Sequence, residues 1–180
     1  MTRPSRIAVM VRVLVALAAL LLPMVTAHAW ILLTAVTVTV VLYDGIRSGT
    51  VYGMFALLLC AEVIYGVDAG VLTVSFLLVT ACLLAIRRVI ALPAWSSHRG
   101  WRPADAFLFI SIATLIALGT LAVQVAVQHL LYATGVPLVR LAMVVTLPHA
   151  LWVLAGVSIV AVAVRRADVP FRRPVIFGSS

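Results

Sequence analysis

"YGMFALLLCAEVIYGVDAG", residues 52–70, is an apolar run that carries one carboxylate, Glu62, and ends in the cluster Tyr65, Gly66, Asp68 and Gly70. A single acid in such a run is costly in hydrocarbon and out of place in an ordinary core, so its surroundings decide the fold. Those surroundings are equally apolar. The 180 residues are 65% hydrophobic and 10% charged, with a mean hydropathy of +1.25. Soluble domains are about half apolar and about a quarter charged. The apolar residues fall in long blocks, so the chain reads as an all-α integral membrane protein.

A helix needs roughly 20 mainly apolar residues to cross the hydrocarbon. Six segments qualify, at about 7–27, 28–43, 49–67, 70–86, 105–131 and 138–164, forming one transmembrane domain over 1–164 with a basic tail at 165–180. The second segment contains "TAVTVTVV", whose alternation would mean a strand in water. A lone strand in lipid leaves its backbone unpaired, so a helix is expected there, with Thr34, Thr37, Thr39 and nearby Thr26 bonding back to their own turn.

All thirteen basic residues are Arg, against five acids, giving a net charge of +8. They sit in short clusters between the apolar blocks, which argues for topology signals and contact with anionic headgroups rather than for nucleic acid. Arg3 and Arg6, then Arg47, then Arg87, Arg88, Arg99 and Arg102, then Arg165, Arg166, Arg172 and Arg173 all fall on one side of a six-span bundle. The opposite turns, near 28, 68 and 132–137, carry none, with Arg140 just beyond the last. Both termini are therefore expected in the cytoplasm. Residues 1–29 also have the form of a signal peptide, two Arg and an apolar core before "AHA", although Arg12 interrupts that core. The inner loop "RRVIALPAWSSHRGWRPAD" is expected to rest on the membrane surface, with Trp95 and Trp101 at the headgroup level. The tail reads as disordered and able to dock onto a partner.

The motifs of soluble enzymes are absent: no GxGxxG, GxxxxGK[ST], HExxH or GxSxG occurs. Cys60 and Cys82 lie inside apolar spans and act as small hydrophobes, so neither a disulfide nor a zinc site is expected. No cofactor or metal is implied. Intramembrane ionisable groups are the remaining candidates for chemistry. Glu62 is the deepest acid, with His129, Arg140 and His149 as its possible partners. Gln124 and Gln128 share a helix face beside His129. Pro148 falls inside the sixth segment, where it would remove a backbone hydrogen bond and kink the helix. Gly49 and Gly53 form one GxxxG pair and Gly66 and Gly70 another, a spacing that lets helices approach closely. With Glu62 between them, the 49–70 segment is expected to be the packing centre.

Residues 45–88, "GIRSGTVYGMFALLLCAEVIYGVDAGVLTVSFLLVTACLLAIRR", resemble the central region of the MreD family of bacterial rod-shape determination. Gly49 and Gly53 match the family's first glycines, Glu62 stands where an Asp is usual, and Gly66 and Gly70 match its turn. "LPHALW" resembles the polar break in the family's final span. The resemblance implies a non-enzymatic scaffold of the peptidoglycan elongation machinery in the bacterial plasma membrane. It would dock by its helices with MreC-like and RodA-like proteins, and indirectly with MreB-like filaments. The family's fold is similar to that of vitamin-transporter S-components. An alternative is therefore a small transporter subunit or ligand binder built on Glu62, His129, Arg140, Pro148 and His149.

Overall fold

The computed structural model describes residues 29–66, 70–89, 95, 102–132 and 147–168, together with residues 10, 13–15, 17, 18 and 21. The helices are α1 (Ala29–Tyr43), α2 (Ser48–Tyr65), α3 (Val71–Val89), α4 (Pro103–Tyr132) and α5 (Leu147–Asp168). The described residues of the first apolar segment are helical too, so helix occurs in each of the six expected spans. No strand occurs among the described residues. Ser48–Tyr65, Pro103–Tyr132 and Pro148–Arg166 are long and apolar enough to cross a membrane, and Trp30–Tyr43 and Val71–Arg87 are shorter apolar helices. The outer faces are as greasy as the interior: Val63 is 82% exposed and Leu115 69%. A surface of that kind suits hydrocarbon.

Helix α1 forms despite its Val and Thr content because a helix satisfies its own backbone. Its threonines act as expected. Thr37 Oγ1 donates to the carbonyls of Leu33 at 3.0 Å and Thr34 at 2.9 Å, and Thr39 Oγ1 to that of Ala35 at 2.6 Å. Thr26 lies outside the described residues. At 15 residues, α1 is about 22 Å long at 1.5 Å per residue, short of the ~30 Å hydrocarbon thickness. It tolerates this because protein surrounds it. Helices α5, α4 and α2 all pack against it, and Leu33, Ala35 and Thr39 are fully buried.

This corrects the expectation that segment 49–70 is the packing centre. Helix α2 buries only Met54, Leu58, Ala61 and Glu62, a single stripe facing α1 and α3. Among the described helices, α1 and α5 share the most extensive contact. A Cβ built on Gly156 would stand 2.9 Å from Leu32 Cδ2 and 3.2 Å from Ala35 Cβ. A larger residue there would require Leu32 to turn aside and Ala35 to yield, so glycine eases this close contact.

The ends of the helices are fixed by three ties. Arg87 Nη1 donates to the Gly45 carbonyl at 2.8 Å, joining the end of α3 to the α1–α2 turn. Trp95 packs on Phe109 with ring centroids 5.4 Å apart, and Phe109 meets Tyr43 edge-on at 6.2 Å. At the opposite end, Trp30 and Tyr65 form a T-shaped pair at 5.3 Å. Trp95 is buried to 8% exposure, so it packs into the arginine-bearing end of the bundle rather than lying on its surface. Trp101 lies outside the described residues.

Candidate functional site

Glu62 sits one turn before the end of α2 and is 6% exposed. Its carboxylate crosses the turn to the start of α3. Oε1 accepts from the backbone N–H of Leu72 at 2.7 Å and of Thr73 at 3.0 Å, and Oε2 accepts from Thr73 Oγ1 at 3.1 Å. The first N–H groups of a helix have no partner within it, and a negative charge is favoured at its positive end. Gly70 occupies the N-cap position, its carbonyl accepting from Val74 N–H at 2.8 Å, but it has no side chain to cap with. Glu62 supplies the missing cap from the preceding helix.

The turn between them needs its glycines for conformation. Gly66 ends α2 at φ 59° and Gly70 adopts φ 90°, both in the left-handed region open to glycine. The 66–70 pair is therefore a turn device and not a helix-packing motif, which corrects that part of the GxxxG reading. A Cβ on Gly66 would meet nothing within 4 Å.

Two further acids sit beside helix starts. Asp44 is 2% exposed, and its Oδ2 accepts from Thr50 Oγ1 at 2.7 Å, in the first turn of α2. Asp105 Oδ2 accepts from the Arg102 N–H at 3.0 Å at the start of α4, half of a capping box. Two of the five acids, Glu62 and Asp105, thus serve helix N-termini, while Asp44 ties the preceding turn to a side chain of α2. The remaining two, Asp68 and Asp168, have side chains outside the described residues.

Among the described residues, both oxygens of Glu62 bond only within α3, and neither His129 nor His149 is its partner. No group of three His, Cys, Asp or Glu side chains comes together there. His129 and His149 are half-buried, in the last turn of α4 and the first of α5. Arg140 lies outside the described residues. Pro148 sits in the first turn of α5, where its missing N–H has no intrahelical partner to lose. The expected mid-helix kink does not arise within the described helix, and residues 133–146 before it lie outside the description. Gln124 does cross between helices, its Nε2 donating to Thr34 Oγ1 at 3.1 Å from α4 to α1.

Gly49 and Gly53 are exposed, and a Cβ on either would meet nothing within 4 Å. Among the described residues they do not bring two helices together. With Ala56 and Cys60, spaced at four, three and four residues, they form an open strip of small residues along α2. Tyr52, 72% exposed, borders it. Comparison with protein-family models, curated proteins and solved structures finds no match for this chain.

Sequence reasoning missed Gly156, the Asp44–Thr50 bond and the Arg87–Gly45 tie. Gly156 lies among small residues, beside Ala155 and two residues before Ser158, so its sequence context does not single it out. The remaining two span 6 and 42 residues and leave no local pattern.

Proposed function

We propose that this chain is a non-enzymatic, multi-pass scaffold of the bacterial plasma membrane, MreD-like in its role, with both termini cytoplasmic. It acts by docking the outer face of α2 against a transmembrane helix of MreC-like or RodA-like partners. One observation supports this reading: the strip Gly49, Gly53, Ala56 and Cys60 is left open by the described residues. Lipid is served equally well by bulky residues, as on the outer face of α4, where Phe107 is 75% and Leu115 69% exposed. Small residues on a membrane helix matter when another backbone must approach it. The chain's own need for close approach is met at Gly156.

The orientation rests on charge. Arg47, Arg87 and Arg102 lie at the end fixed by the Arg87–Gly45 tie, and Arg165 and Arg166 lie in the last turn of α5. The positive-inside rule places such an end in the cytoplasm. The ligand-binding alternative loses its leading residue, because the Glu62 carboxylate is committed to α3.

The test is co-purification from membranes. The full chain is expected to retain MreC-like or RodA-like proteins, and the double substitution Gly53→Leu with Ala56→Leu to release them while keeping its own elution profile. Retention by the double variant overturns the docking face. Absence of such proteins from the wild-type complex overturns the assignment to this machinery.

A further inference from the structure

At the arginine-bearing end, the α1–α2 turn adopts an unusual backbone. Ile46 N–H donates to the Val41 carbonyl at 2.9 Å and Gly45 N–H to that of Leu42 at 3.1 Å, a Schellman closure with Gly45 at φ 72°. Ile46 follows in the left-handed region too, at φ 57°. A β-branched residue there is a true outlier, and such strain is held where surrounding structure requires it.

Here it turns the Gly45 carbonyl to the Arg87 guanidinium. That contact uses one of five guanidinium donors, and the residue is exposed, so the others are open to a ligand. Beside the guanidinium lies a cleft of about 30 Å³ lined by Leu42, Ile46, Trp95, Phe109, Ile112 and Ile116. It admits a methylene or two, not a whole small molecule. Trp95 is held in its wall by Phe109. Exposed Arg47 follows the turn and exposed Arg102 begins α4.

The geometry points to a binding site for one anionic phospholipid at this end of the bundle. Its phosphodiester is held by Arg87, with Arg47 and Arg102 adding positive field, and the methylenes nearest its glycerol enter the apolar cleft. The combination selects this ligand on two grounds. A fixed guanidinium with free donors suits a phosphate oxygen pair. An apolar notch directly beside it has no use for a free inorganic anion but suits the start of an acyl chain. Asp44, beside the α1–α2 turn, is buried and bonded to α2 through Thr50, and Asp105 is bonded to the Arg102 N–H. This site is separate from the α2 face and stands whether or not that face docks a partner.

Native mass spectrometry of the full chain in neutral detergent tests it, with dioleoyl phosphatidylglycerol, dioleoyl phosphatidylcholine and inorganic phosphate as the three probes. The expected preference for phosphatidylglycerol over phosphatidylcholine is roughly tenfold, the scale of one charge-assisted contact. Arg87→Gln is expected to abolish it. Because that change also breaks the tie to Gly45, Ile116→Trp provides a second route: it fills the cleft, keeps the tie, and is expected to weaken phosphatidylglycerol binding. Arg166→Gln, on α5, is expected to leave the preference intact. Full preference retained in both Arg87→Gln and Ile116→Trp overturns the site. Displacement of the lipid by inorganic phosphate overturns the lipid as its occupant.

Discussion

Replacing Glu62 by Ala removes the acceptor that closes the first turn of α3. The Leu72 and Thr73 N–H groups, bonded at 2.7 and 3.0 Å, are then left without a partner in a buried place. Loss of an N-cap costs about 1 kcal/mol, and each orphaned buried donor adds on the order of 1–3 kcal/mol where relaxation cannot reach water. Part of that is recovered as Thr73 Oγ1 turns elsewhere, so Glu62→Ala is expected to lose roughly 3 kcal/mol in total. Glu62→Gln keeps a carbonyl oxygen at the Oε1 position and forfeits mainly the charge–dipole part, about 0.3–1 kcal/mol. The assay is reversible unfolding in mixed micelles, with dodecyl maltoside titrated by dodecyl sulfate and helicity followed by circular dichroism. Ala should be clearly worse than Gln. Equal losses for the two would refute the cap. A Gln variant of normal stability that nevertheless fails in cells would move Glu62 back among proton or cation sites.

Three other outcomes follow from the packing. Gly156→Leu forces a side chain into the α1–α5 contact and should cost about 1–3 kcal/mol in the same titration, while Gly49→Leu, on open surface, should leave the midpoint unchanged. Trp95→Ala removes the plug over Phe109 and should destabilise by about 3 kcal/mol, with a loss of near-ultraviolet circular dichroism signal at that end. Gln124→Leu deletes one bond between α4 and α1 and should cost only about 0.6 kcal/mol, since its partner Thr34 can bond back to its own helix.

The helices were legible because hydrocarbon imposes a length and a closed backbone, and both are visible in composition. Even α1 was, with a strand-like pattern, since lipid removes the strand as an option. The packing order was harder to read. Glu62 drew the centre of the bundle toward α2, yet centrality depends on how many sides of a helix are covered. The Val and Thr surface of α1 is covered on all of them. The GxxxG spacing misled for a similar reason: it reads the same on an exposed face (49–53) and across a turn (66–70). Glu62 itself could have been traced further from sequence. A helix opening with Gly70 lacks its own cap, and an acid eight residues earlier, across a glycine turn, is within reach of its first N–H groups. What was read as a polar cluster around Glu62 is, among the described residues, a junction between two helices.

Photo-crosslinking from within the membrane tests the docking role most directly. A benzoylphenylalanine is placed at Ala56 on the α2 strip or at Leu115 on the outer face of α4, in cells that make the chain at native levels. The account predicts a crosslink to an MreC-like or RodA-like membrane protein from position 56 and lipid adducts alone from position 115. Lipid adducts alone from position 56, or the same protein partner from both positions, would contradict it.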